Sequence, residues 1–575
     1  MIKKIVKNLL IISLILIIAV LYLSIFGIKT EKFNNKIINN ILKINKNINL
    51  NLNQVNYLLN PYDFTVNIKT KNPQILLEGR KLGIKDIQTN ISLKSLIKDE
   101  FAIDNLQIKT KEIKLNDVIA LVREFQNSPQ LFVLNTILKD GFVIANVNLN
   151  FDENGKIKEN YKIEGSVKKV KLNILNKFKL QNLNFKFSAT KNIYSLKRIE
   201  MKLNDIKITS PLIRVKKKKN LFFVNGQFSN DKKNFEIEEL NSIYFNLFNN
   251  VDIQKIEFSS KNNFSFNINK SLKIDNFKVE SIVDLNQLII KQKDLRLKPY
   301  FPSFIEEIKI EEHKIVINYY KNKINIKGKG NISLEDKLDN LSYLIIKDNN
   351  NLSFDLKLNL TKNSLLINFL NYEKKEDSSS LISVKGIFKK NNQLRFNLIN
   401  LKEKNNEISI KGLDFNKNYK IISLENFKIN YKNDRKILNK LILKKNNSNY
   451  LIEGESLDAS EIINNIMGSD EEGSSIFEDL NSKINVKIKK TYIDDVNYIN
   501  DLNGNIDFNN NKINNLKLES TFPNKKKIIL TIKTNNKSET ITKLLTAYPK
   551  PLIKRYDFIK GFEEGYLNFF SSKKE

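Results

Sequence analysis

Cysteine and tryptophan are absent from this chain, histidine occurs once, and its 575 residues include only 17 glycines and 9 prolines. Without cysteine there is no disulfide framework, thiolate zinc site, iron–sulfur cluster or thiol nucleophile. A lone His313 excludes polyhistidine metal sites and leaves little of the commonest acid–base side chain. Neither a Gly-x-x-x-x-Gly-Lys-Ser/Thr phosphate loop nor a Gly-x-Ser-x-Gly nucleophile elbow occurs. Catalytic, cofactor and metal residues are therefore assigned as none, and the chain reads as a non-enzyme.

Arginine is scarce as well. The formal charge is +33, yet only eight of the 96 basic residues are arginine. Arginine reads guanine edges and clamps phosphate bidentately, so its scarcity argues against nucleic acid as a partner. Lysine, asparagine and isoleucine all have A/T-rich codons, and codon bias explains the three excesses together. The densest basic run, Arg214 with Lys216 to Lys219, lies between apolar stretches and reads as the solvated turn of a hairpin. Contact with anionic headgroups is its alternative. The adjoining Leu221-Phe222-Phe223-Val224 reads as a core strand rather than a base-stacking platform.

Charge is missing altogether from residues 9–28. At 1.5 Å per residue such a helix spans roughly 30 Å, one hydrocarbon core. Its apolar side chains are Leu9, Leu10, Ile11, Ile12, Leu14, Ile15, Leu16, Ile17, Ile18, Val20, Leu21, Leu23, Ile25, Phe26 and Ile28. Lys3, Lys4 and Lys7 make residues 1–8 a basic cytoplasmic tip. Ser24-Ile25-Phe26 is a poor cleavage site, so an uncleaved anchor is expected. No later segment resembles a second span. The rest then lies outside the cytoplasm, where a lack of stray thiols is an advantage.

Beyond the anchor the period changes. Phe33, Ile37, Ile38, Ile41 and Leu42 recur at helical spacing, predicting an amphipathic helix over 30–46. From Ile48 the alternation is two-fold, as in Val147-Asn148-Leu149-Asn150-Phe151 and Phe354-Asp355-Leu356-Lys357-Leu358. Asn154-Gly155, Asn225-Gly226 and Asn503-Gly504 read as type I′ hairpin pairs. Helices are expected from Ser128-Pro129 to about Lys139, from Asp458 to before Gly468, from Ser538 to about Ala547 and from Asp284 to about Gln292. Residues 469–475 read as an acidic flexible loop, and Asp470-Glu471-Glu472 as solvated rather than cation-binding. His313 reads as a surface strand-edge residue, and Gly328-Lys329-Gly330 as a turn.

The expected fold is mainly β: an N-terminal transmembrane helix, then a long, curled, mostly antiparallel sheet with few helices. About 40–45 strands at ~4.8 Å spacing would extend roughly 200 Å, and such a sheet twists and curls. Each strand has one apolar face, so an unclosed sheet forms a trough whose lining needs a partner. Val147, Leu149, Phe354 and Leu356 are candidate lining residues, and acyl chains beside an anchor are the expected filler. Stacked β-sandwiches with self-covering cores are the alternative.

Three stretches carry a family likeness. The anchor is followed by Ile91-Ser92-Leu93-Lys94-Ser95-Leu96-Ile97 and then Phe101 to Ile108. Gly454-Glu455-Ser456-Leu457-Asp458-Ala459 leads into a short helix, and residues 541–548 precede 561–569. Together these resemble the AsmA-like superfamily of anchored periplasmic proteins, in its YhdP-type branch. Glu564-Gly565 replaces the family's glycine pair, and the chain stops at Glu575, so a truncated or split member is expected. The division that follows is a β-groove over 47–450 and an incomplete AsmA-like segment over 451–575. The resemblance implies an inner-membrane protein, with its bulk in the periplasm of a Gram-negative cell. It also implies phospholipid transfer between inner and outer membranes, with an outer-membrane or periplasmic partner. A scaffold for outer-membrane proteins, using an exposed sheet edge, is the second reading.

Overall fold

A computed structural model describes residues 2–35, 38–39, 48–77, 80–98, 102–125, 128–174, 177–244, 251–291, 297–304, 306–390, 393–468, 480–535, 539–556 and 563–574. Among them are 34 strands, 32 of which belong to one sheet that does not close on itself. The expected mainly β fold is therefore present. There are fewer strands than the turn signals suggested because several are long, reaching 18 residues in Asp252–Asn269 and Ile274–Lys291.

The chain forms two compact units. The first, residues 1–249 with 259–280, begins with the apolar helix α1, Ile2–Ile25. Strand Ile28–Thr30 pairs antiparallel with Val55–Asn60, which pairs with Thr65–Lys71. An antiparallel array follows through Arg80–Ser92, Ile103–Thr110 and Leu138–Asn150. It continues through Lys162–Ile174, Phe178–Ala189, Ile193–Leu203, Ile206–Lys218 and Leu221–Asn234. Helices Leu115–Phe125 and Pro129–Ile137 sit where Leu138–Asn150 begins. The second starts as expected, with Ser128 accepting a hydrogen bond from the Leu131 N–H and proline at the first turn. Leu82, Ile113, Ile119, Leu138, Val143, Val167 and Val170 form the core at this end.

The second unit, residues 250–258 with 281–575, is an antiparallel meander from Glu307–Tyr320 through Asn449–Asp458. Strand Asn449–Asp458 then pairs parallel with Ser482–Tyr492, the chain returning after helix Ser460–Gly468. A parallel step needs such a crossover. Antiparallel pairing resumes to Leu567–Lys574. Between Asn351–Leu360 and Ser380–Lys389 a small hairpin, Leu365–Ile367 with Tyr372–Lys374, folds over one end of the sheet. Phe301, Phe304, Leu360, Leu370, Tyr372, Leu401, Ile408, Ile429 and Tyr431 are buried there in one cluster.

Several sequence expectations are corrected. Residues 284–291 and 539–546 are strand, not helix. Each segment has apolar residues at helical spacing, but Glu539–Thr546 hydrogen-bonds to strands on both sides, and pairing overrides local preference. Asn225-Gly226 and Asn503-Gly504 lie inside strands, opposite Arg214-Ile213 and Lys487-Val486. A Cβ on Gly504 would lie 1.9 Å from the Lys517 carbonyl oxygen, so this glycine permits close backbone approach. Asn154-Gly155 does lie in a turn, with Gly155 at φ 73°. Elsewhere the chain turns on other residues: Lys321-Asn322 and Asn510-Asn511 both adopt left-handed φ, the type I′ signature.

Helix α1 starts at Ile2, so residues 2–8 are helical together with the apolar run, and it ends at Ile25 rather than 28. Gly27 at φ 66° ends it, and Ile28 pairs with Tyr57 as a strand residue. The division expected after residue 450 falls inside strand Asn449–Asp458. Most of the helix expected over 30–46, the acidic residues 470–472, Ser538 and Gly561 lie outside the described residues.

Candidate functional site

Pairing register decides which side chains share a face. In the first unit Val147 stands opposite Ile108 and Ile163, and Leu149 opposite Leu106. In the second, Phe354 stands opposite Ile345 and Gly386, and Leu356 opposite Tyr343 and Val384. All four candidate lining residues thus lie on an apolar face, and all four are only half-buried. The units share a pattern. At one end of the strands the face is covered, by helices in the first unit and by the 365–374 hairpin in the second. Towards the other end the covering elements stop and the apolar side chains remain partly accessible.

Aromatic rings line much of this open part. Phe354 and Phe396 meet edge-to-face at 5.9 Å, and Phe396 and Phe415 at 6.0 Å. In the first unit Phe228 lies 6.0 Å from Phe264, which stacks on Phe266 at 6.0 Å. A cavity of about 490 Å³ adjoins Leu149, lined by Ile157, Tyr161 and Ile163 and also by the charged Lys158, Glu159 and Lys191. The rings offer broad, non-directional contact to an apolar ligand. Their face was legible from alternation, but their clustering depends on register and bulges, such as the shift between Lys385 and Gly386.

His313 is not a surface residue. It is 1% exposed, its Nε2 lies 3.0 Å from the Asn331 carbonyl oxygen, and its ring stacks on Tyr343 at 5.7 Å. A carbonyl only accepts, so Nε2 carries the proton. Burial lowers its pKa against the opposing effect of that hydrogen bond. Gly328 and Gly330 are strand residues, not a turn. Cβ atoms there would collide with the Tyr343 and His313 rings, at 2.2 and 2.1 Å respectively.

A polar network closes the covered end of the second unit. Lys374, fully buried, donates from Nζ to the carbonyls of Thr361 (2.8 Å) and Asn363 (2.6 Å). Tyr372 donates to Glu403 at 2.8 Å. Asp458 receives hydrogen bonds from Asn433 (2.7 Å), the Ser460 N–H (3.1 Å) and Arg435. Burial raises its pKa, but the Ser460 and Arg435 bonds outweigh this and hold the carboxyl below its usual range. The Gly-x-Ser-Leu-Asp-Ala stretch thus supplies a structural hub at the start of helix Ser460–Gly468. Among the described residues no cluster of His, Cys, Asp or Glu could hold a metal ion.

From Leu9 to Ile25 the anchor residues lie in α1, whose segment Lys3–Ile25 is long and apolar enough to cross a membrane, with mean hydropathy 2.7. Phe26 follows the helix. No family model, curated protein or solved structure matches the chain.

Proposed function

We propose that this is a membrane-anchored, non-enzymatic lipid carrier whose half-open apolar faces solvate phospholipid acyl chains. Residues 9–25 hold it in the inner membrane with the N-terminus cytoplasmic, and the β-sheet works in the periplasm. There it passes phospholipid between the membranes in cell-envelope biogenesis, in the manner of AsmA-like proteins. The observation that carries the reading is the apolar face within each unit, left only half-buried where the covering helices or hairpin stop. Burying an acyl chain there gains ~0.8 kcal/mol per methylene and needs no directional contact, which suits cargo that must slide.

The test places a photo-crosslinking residue at Leu149 or Leu356, and for comparison at outward Ile144 or Lys357, in the full chain within membranes. Lipid adducts on the inward positions alone are expected, read by mass spectrometry. Adducts that are absent, or equal on both faces, would remove the proposal. A scaffold role through the unclosed sheet edge would then take its place, with proline in an edge strand as the damaging change.

A further inference from the structure

The end of the first unit from which α1 departs carries three large apolar side chains that its fold leaves bare. Ile28 pairs with Tyr57, and Gly27 lies against the Tyr57 carbonyl. The chain before Ile28 therefore runs beside Leu58 to Asn60, towards the turn at 61–64, and α1 packs against strand Val55–Asn60. In that turn Tyr62 is 96% exposed and Phe64 62% exposed. Helix Leu93–Ile97 adjoins it, the Leu93 N–H donating to the Phe64 carbonyl at 2.9 Å, and presents Ile97 at 82% exposure.

The turn is a constructed one. Asn60 accepts from the Tyr62 N–H at 3.1 Å and donates to Asp63 at 2.8 Å. Phe64 holds a left-handed φ of 53°, an uncommon conformation for a bulky residue. Exposed Lys94 and Lys98 lie on the same short helix or directly after it, and exposed Asp63 lies in the turn itself.

We infer that Tyr62, Phe64 and Ile97 form a shoe that dips into the interfacial layer of the phospholipid bilayer holding α1. Aromatic residues favour the headgroup level, and interfacial elements bury their apolar side ~5–10 Å into the headgroup and acyl boundary. A tether already in the bilayer makes this second contact intramolecular, so modest apolar area suffices. The inference requires α1 in the membrane and does not depend on lipid transport.

Because the chain lacks tryptophan, one substitution makes a clean reporter. The full chain is reconstituted in phosphatidylcholine–phosphatidylglycerol vesicles as Y62W, F64W, Y22W within α1, or F132W. Phe132 is 61% exposed on helix Pro129–Ile137, at the opposite strand end. The Y62W and F64W indoles should emit to the blue of F132W. Lipids brominated high on the acyl chain should quench them about two-fold or more, as expected of an interfacial depth, and leave F132W unquenched. Emission and quenching of Y62W and F64W equal to those of F132W would overturn the inference. So would an unquenched Y22W, since α1 would then lie outside the bilayer.

Discussion

Burial of His313 against Tyr343 takes its ring out of water and favours the neutral form. The unfolded chain titrates near the ordinary value of about 6.5, and the folded chain lower. Between those two values the unfolded state binds more protons, so stability falls as pH drops below about 6.5 and is flat above it. His313 is the chain's only imidazole, so one ring resonance in an NMR titration reports it without assignment. A midpoint below 6.5 is expected, whereas a midpoint at or above that value would mean a solvated ring. Sequence placed this residue on a strand but on the wrong side of the surface. The Glu311-Glu312-His313 run gives no sign that Glu312 takes a left-handed φ and shifts the register between Glu311 and Lys314. That shift decides which way the histidine faces.

At the scale of elements, glycine has exchanged its usual place with asparagine and lysine. Hairpin turns at 321–322 and 510–511 use left-handed Lys and Asn, while Gly328, Gly330, Gly386 and Gly504 lie within strands. Their missing Cβ atoms leave room for the Tyr343 ring, the His313 ring, the Phe354 ring and the Lys517 carbonyl respectively. Gly504→Ala should cost about 2 kcal/mol or more, since backbone rather than a flexible side-chain tip must move. Chemical unfolding of the full chain in detergent would measure it, and an unchanged midpoint would place the neighbouring strand farther away. Asn-Gly pairs mark turns by φ chemistry, so glycines chosen for space were misread. Strand identity itself was legible wherever alternation was strict, as at 147–151 and 354–358. The start of helix Pro129–Ile137 was legible because Ser-Pro has a local mechanism there.

Across the whole molecule, stability and the proposed function separate along each strand. Buried cores and the Asp458 and Lys374 networks lie at the covered ends, whereas Val147, Leu149, Phe354 and Leu356 are half-buried where the covering layer is missing. Charges at the latter sites should leave folding intact and weaken lipid retention. Replacing both Phe354 and Leu356 with Asp removes two apolar side chains worth ~1.5–3 kcal/mol each when fully buried. Phospholipid bound to that unit should drop about ten-fold or more, since 1.4 kcal/mol is a factor of ten. Mass spectrometry of the purified full chain, with circular dichroism for folding, is the measurement. Unchanged lipid in a folded variant would mean that the open face carries no cargo.

Composition and periodicity alone specify that α1 is apolar, that the body is β, and that the alternating strands have one apolar side. Each of these is a periodicity or a run, which local side-chain chemistry alone specifies. Tertiary structure decided where that apolar side is covered. The 365–374 hairpin reaches the core across dozens of residues: Tyr431 donates to the Leu370 carbonyl, and Asn371 to Asp458 at 3.4 Å. Such contacts join segments with no common period, brought together by the strand pairing between them. The open part of the face is what remains after they do, and no window of sequence contains it.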